Sequence, residues 1–135
     1  MDRGKIRNRE QAQQIRDFSG LRWGTITPTD IDGFFEIQNI IFIFIEIKYK
    51  DAKLPFGQRL ALERLIDIIS KEKKAILILA RHENEPKEDI DAANCEVTQY
   101  YFRQTWHNEK LKRKLKDFCD WFIKYVQTIE EALNV

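Results

Sequence analysis

The chain has 135 residues, of which 43% are hydrophobic and 33% are charged, and its formal net charge is +1. This length and composition predict one folded domain over residues 1–135 and exclude a disordered or fibrous chain. No apolar run approaches the ~20 residues that cross a bilayer, and the polar N-terminus lacks a secretory signal. Cys95 and Cys119 have no metal-type spacing and form no disulfide framework. We therefore expect a cytoplasmic protein without a membrane partner.

The first thirty residues predict a helix followed by a strand. Apolar side chains recur at three-residue spacings over residues 8–18, as on one face of a helix, and Glu10 lies in its first turn. Residues 21–27 are a candidate first strand that ends at Pro28. We expect Trp23 to belong to the core.

Residues 29–37 and 40–50 predict a β-hairpin with a turn near Gln38 and Asn39. Because successive side chains of a strand point to opposite faces, the four isoleucines from Ile41 to Ile47 share one face. The other face carries two phenylalanines and then two charged residues, namely Phe42, Phe44, Glu46 and Lys48. Both faces are apolar for most of their length, which is typical of a central, covered strand.

The remaining elements alternate between helix and strand. Residues 56–71 have a clear helical stripe of leucine and isoleucine, and Pro55 suits a helix start. Residues 74–81 form an apolar strand that a right-handed crossover would place parallel to the strand before it. A further strand over 95–102 and a last helix over 108–131 complete the chain.

Two features of the C-terminal third have two interpretations each. Lys112, Arg113 and Lys116 are expected on the outer side of the last helix, where they would contact DNA phosphates or form a solvated face. The aromatic residues from Tyr100 to Trp106 would either stack on unpaired bases or cover an edge of the core. We expect the core role for these aromatic residues.

The polar residues of the hairpin predict a metal site. Asp30 and Asp32 precede the apolar strand, and the hairpin brings Asp32 close to Glu46. Two neighbouring carboxylates repel each other unless a hard cation such as Mg²⁺ binds their oxygens. Lys48 lies one pleat further and would orient or deprotonate a water, or stabilise developing negative charge.

This arrangement resembles the PD-(D/E)XK nuclease superfamily, which includes restriction endonucleases and Holliday junction resolvases. In that family an acid before a hairpin, a Glu-x-Lys on the next strand and a Gln early in the following helix form the site. The match gives Asp32, Glu46, Lys48 and Gln58, with Asp30 as the competing first acid and Glu10 as an additional helical acid. The RecB-like Gln-x-x-x-Tyr pattern is absent, because Leu62 stands at the tyrosine position.

The resemblance implies a fold, a cofactor and an activity. The fold would be α/β, with a restriction-endonuclease-like αβββαβ core, a mixed central sheet flanked by helices, and an added C-terminal strand and helix. Asp32, Glu46 and the backbone carbonyl of Ile47 would bind Mg²⁺ or Mn²⁺, and no organic cofactor is expected. The activity would be endonucleolytic or exonucleolytic cleavage of DNA that leaves a 5′-phosphate, and a homodimer would suit the two cuts that a duplex needs.

Two other functions stay open from the sequence. The chain would be a catalytically inactive relative that binds DNA or supports an assembly, or a subunit of a larger nuclease complex. Binding of a divalent metal separates the active enzyme from the inactive relative.

Overall fold

The computed structural model describes residues 13–133, and the chain divides into two compact units, Met1–Asp30 and Ile31–Val135. All regular helices and strands among the described residues belong to the second unit. Neither of its α-helices is long and apolar enough to cross a membrane.

The described part of the first unit differs from the sequence prediction. Residues 13–18 are not helical, and the predicted strand over 21–27 is absent. Gly24 has a φ of +63°, and Trp23 and Ile26 bond to each other through both backbone N–H and C=O groups at 3.0 Å. The chain therefore turns back on itself where a strand was predicted, and Trp23 is 84% exposed instead of buried.

The second unit contains five strands and two α-helices in the part of the chain that the structure describes, with a short 3₁₀ turn at Ala92–Asn94. The elements in chain order are β1 (Gly33–Ile37), β2 (Ile41–Tyr49), α1 (Phe56–Ile69), β3 (Lys74–His82), β4 (Glu96–Phe102), β5 (Thr105–Asn108) and α2 (Leu115–Leu133).

The five strands form one mixed sheet in the order β1-β2-β3-β4-β5. β2 and β3 are parallel, as predicted from the strand–helix–strand spacing, and the other neighbouring pairs are antiparallel. The α/β class with a mixed sheet is thus confirmed. β2 lies between two strands, which agrees with the apolar character of both its faces.

The predicted hairpin turn lies at Gln38 and Asn39. Both residues have positive φ, 53° and 57°, and the N–H of Ile40 donates to the carbonyl of Ile37 at 2.9 Å. Two positive φ values at the centre define the type I′ turn, whose twist suits a two-residue hairpin. The turn fixes the register in which Gly33 lies opposite Ile45.

Each face of the sheet has its own apolar core. On one face, isoleucines of β2 and β3 pack with Phe118, Phe122 and Val126 of α2. On the other face, Phe44 and Leu77 pack with Leu62 and Ile66 of α1. The second unit is therefore a helix–sheet–helix arrangement, and the side-chain parity of β2 assigns each residue to one of the two helices.

The prediction for the last helix was wrong at its start. The helix begins at Leu115, whereas residues 109–114 run beside β4: Glu109 donates its N–H to the Thr98 carbonyl, and Arg113 accepts from the Val97 N–H. The helical spacing of the apolar residues predicted Leu111 on the inner face of this helix, but the residue is 74% exposed. The sequence also missed β5, whose hairpin turn uses Arg103 and Gln104 without the usual glycine.

Candidate functional site

The side chain of Glu46 is almost fully buried within the protein, with 1% of its surface exposed. Its parity on β2 places it on the α1 face, directly after Phe44 and its apolar neighbours. Burying a carboxylate is costly unless it is hydrogen-bonded or binds a cation. The structure thus puts an acid where the fold alone would favour an apolar side chain.

Gln58 reaches Glu46 from the first turn of α1. Its Nε2 donates to Glu46 Oε1 at 3.3 Å, which is the contact expected for a helix that begins beside the end of β2. Two polar contacts with the far strands of the sheet hold α1 in place. Tyr101 donates to Asp67 at 2.8 Å, and the Trp106 indole donates to Glu63.

Asp32 lies just before β1 and contacts the backbone of β2. Its Oδ2 accepts a hydrogen bond of 2.8 Å from the N–H of Ile47. Continuing the antiparallel register by one residue from the Gly33–Ile45 pair sets Asp32 opposite Glu46. Because the N–H and C=O of a strand residue point to the same neighbour, the Ile47 carbonyl faces the side of β2 on which Asp32 lies.

Lys48 follows on the same face of β2 as Glu46 and is partly exposed. In the parallel register it pairs with Arg81 of β3, a residue that the sequence analysis did not select. Arg81 donates to the carbonyls of Lys50 and Ala52, at 2.9 and 2.6 Å. It thereby anchors the loop between β2 and α1. The available signal in the sequence was its position directly after the apolar run that ends at Ala80.

The remaining candidates are Glu10, Asp30 and the basic residues near the start of α2. Glu10 falls outside the described residues, and Asp30 is an exposed residue of the first unit. Lys112 and Arg113 precede α2, which corrects their predicted place on the outer side of the helix, whereas Lys116 is exposed in its first turn.

The Arg113 side chain contacts several other residues of the protein. It forms an ion pair with the buried Glu109, and its guanidinium lies over the rings of Phe118 and Trp121. These contacts hold the segment before α2 against the helix, and they explain the position of Arg113 without a role in binding DNA.

The donor set of the site suits a hard divalent cation. Asp32 and Glu46 offer carboxylate oxygens and Ile47 offers a carbonyl oxygen, and such ligands are the ones that Mg²⁺ prefers. Within residues 13–133 no three His, Cys, Asp or Glu side chains come together as a metal site. Among the described residues, the ligands for a cation here would be these two carboxylates and one carbonyl, completed by water.

A cleft of about 840 Å³ lies beyond the ends of β2 and β3. It is lined by Lys50, Arg81, His82 and residues of the acidic segment 83–96, and none of the four principal candidates lines it. Asp32 itself is exposed, whereas Glu46 is buried.

Comparisons of the chain with protein-family models, with curated proteins and with solved structures found no match.

Proposed function

We propose that this protein is a metal-dependent DNA nuclease of the PD-(D/E)XK type, with Asp32, Glu46, Lys48 and Gln58 as its site. The observation that carries the proposal is the buried Glu46 carboxylate, held by Gln58 and followed on the same face by Lys48. A fold that needed only stability would favour an apolar residue at this position. The contact between Asp32 and the backbone of Ile47 brings a second acid to the same end of the strand.

The order of elements also supports the proposal. A β-hairpin, a helix and a parallel strand follow one another, and helices cover both faces of the mixed sheet. This is the order expected for the part of a restriction-endonuclease-like core that begins after its first helix and first strand.

The residues of the site have distinct roles in phosphodiester hydrolysis. Asp32, Glu46 and the Ile47 carbonyl would hold Mg²⁺ or Mn²⁺. The chemistry that this cation supplies when bound is neutralisation of phosphate charge and a lower pKa for the attacking water. The Lys48 ammonium donates a hydrogen bond to that water or to the developing negative charge. Gln58 fixes the rotamer of Glu46, so that its carboxylate is positioned before the substrate binds.

Replacement of Lys48 by alanine tests the chemical step. We expect Lys48→Ala to lower the cleavage rate by about 10²- to 10⁴-fold, the usual contribution of a group that transfers or orients a proton. Lys53→Ala removes an exposed lysine from the following loop and is the matched control. Linear, nicked, single-stranded and four-way-junction DNA are incubated with and without Mg²⁺. A Lys48→Ala protein that cuts at the wild-type rate would exclude the assignment.

Replacement of Asp32 by asparagine tests the metal. Calorimetry with Mn²⁺ should show binding to wild type and to Lys48→Ala, and a loss of binding in Asp32→Asn, because Asp32 is a proposed metal ligand and Lys48 is not. If millimolar Mn²⁺ gives no heat with wild type, and no DNA is cut, the inactive relative becomes the better description. DNA binding without metal binding would point to the same conclusion.

A further inference from the structure

A second cavity, of about 330 Å³, lies on the opposite face of the sheet from Glu46. It is bounded by the β4–β5 hairpin on one side and by α2 on the other. Aromatic side chains provide most of its wall, together with one arginine: Tyr100, Phe102, Arg103, His107, Trp121 and Tyr125. Tyr100 and Phe102 pack against the edge of the core, as predicted, but both are only partly buried, and Trp121 of α2 is 40% exposed.

The rings of this cavity are already in fixed orientations. Tyr100 and His107 are stacked, with ring centroids 4.9 Å apart and planes at 18°. Trp121 and Tyr125, one helical turn apart, are also nearly parallel, at 16° and 5.7 Å. Arg113, which does not line the cavity, lies 4.4 Å from the centre of the Trp121 ring and restrains it. A flat ligand would therefore bind without first ordering these side chains.

The charged residues that line the cavity favour an anionic ligand. Arg103, in the β4–β5 turn, and His107 are its only titratable basic groups among the described residues, and no Asp or Glu of those residues lines the cavity. Arg103 is exposed, with its guanidinium 5.1 Å from the centre of the Phe102 ring. Aromatic walls with a cation at the rim suit a ligand that has a flat ring and a negative charge.

We propose that this cavity binds one unstacked nucleotide of a single DNA strand, with the base among the rings and the phosphate at Arg103. Its volume is at the lower end of the range for small-molecule sites, about 300–1,000 Å³, which suits one nucleotide. The site is separate from the proposed nuclease site, and its test requires no cleavage.

Binding of a fluorescein-labelled eight-residue dT strand is measured by anisotropy in EDTA, so that hydrolysis plays no part. An otherwise identical strand with abasic sugars at the four central positions is the comparison ligand. We expect wild type to bind the dT strand about 5- to 150-fold more tightly than the abasic strand, as loss of a stacked base commonly costs. Tyr125→Leu keeps an apolar side chain but should abolish this preference.

Arg103→Asn tests the phosphate contact. Asparagine tolerates the φ of 53° at this turn position, so the backbone is preserved. We expect this variant to bind both strands more weakly. The slope of log affinity against log salt concentration should also become shallower by about one, as expected for the loss of one phosphate contact. Arg64→Asn, on the exposed side of α1, is the matched control and should change neither quantity. If Tyr125→Leu does not fold, His107→Gln is used instead, and it should also abolish the preference for the dT strand over the abasic strand.

Three results would overturn the proposal. Equal affinity of wild type for the dT and abasic strands would exclude stacking, and unchanged affinity in Arg103→Asn would exclude the phosphate contact. Thymidine monophosphate that binds as tightly as the strand would indicate a site for free nucleotides instead. Asp32→Asn should keep the preference for dT, so that failure of the nuclease proposal and failure of this one are observed separately.

Discussion

Replacing Glu46 by glutamine tests two effects of the buried carboxylate separately: its effect on the stability of the fold and its proposed role as a metal ligand. The glutamine has the same shape, and its carbonyl oxygen can still accept the 3.3 Å hydrogen bond from Gln58. What changes is the charge, at a side chain that is 1% exposed and follows the apolar cluster around Phe44. Taking a carboxylate out of water costs several kcal/mol even after the protein relaxes, and its hydrogen bonds return only part of that cost, so a net gain of about 1–4 kcal/mol in the free energy of unfolding is expected when the charge is removed. We therefore expect Glu46→Gln to be more stable than wild type in the absence of metal.

The expected shift in melting temperature follows from the chain length. An unfolding entropy of about 2.1 cal/mol/K per residue gives roughly 0.28 kcal/mol/K for the 135-residue chain. Each kcal/mol then moves Tm by about 3.5 °C, so Glu46→Gln should melt roughly 3–14 °C higher in EDTA. The exposed Glu72→Gln is the control, and it should stay within about 2 °C of wild type.

Scanning calorimetry with added Mn²⁺ completes the test. Metal that binds only the folded state raises Tm, so millimolar Mn²⁺ should stabilise wild type and leave Glu46→Gln unchanged. The variant should also lose cleavage. A Glu46→Gln protein that melts lower in EDTA and still responds to Mn²⁺ would show that the carboxylate is structural, and its role as a metal ligand would be refuted.

Three further predictions concern stability and reactivity. Burial and the hydrogen bond to Asp67 raise the pKa of Tyr101 to about 12. Between pH 10 and 12 the unfolded chain would lose this proton while the folded protein keeps it, so stability should fall as pH rises, by at most about 1.4 kcal/mol per pH unit. Urea titrations should show a smaller fall in Tyr101→Phe, and equal falls would contradict the assignment. Burial raises the pKa of the Cys95 thiol and that of Cys119, the latter to about 11. At pH 8 a thiol reagent should accordingly label neither in the folded protein and both in urea, and rapid native labelling would be inconsistent with their burial. Phe118→Ala removes a fully buried ring by which α2 packs on the sheet, and it should lower the free energy of unfolding by about 3–5 kcal/mol, measured by urea denaturation. A loss below about 1 kcal/mol would contradict its place in the core.

The parts of the fold that local patterns control were predicted well. The alternation from Ile41 to Lys48 gave β2 and its two faces, and the leucine and isoleucine stripe gave α1 to within two residues of its end. The turn at Gln38 and Asn39 follows from the same parity, because a two-residue loop there keeps both strands in register. The errors occurred where periodicity is ambiguous. Residues 109–114 have helical spacing in the sequence, but their backbone pairs with β4.

The sequence by itself determined which residues share a face of β2, because the side-chain period of a strand is two whatever surrounds it. That parity set Glu46 beside Lys48 and was enough to make both of them candidates. Only the tertiary structure decided that Glu46 is buried, that Gln58 reaches it across the start of α1, and that Asp32 caps the backbone of Ile47. It also decided that Tyr100, Trp121 and Tyr125 leave a cavity between sheet and helix instead of closing it. These outcomes depend on how distant segments pack, and local spacing in the chain does not encode that packing.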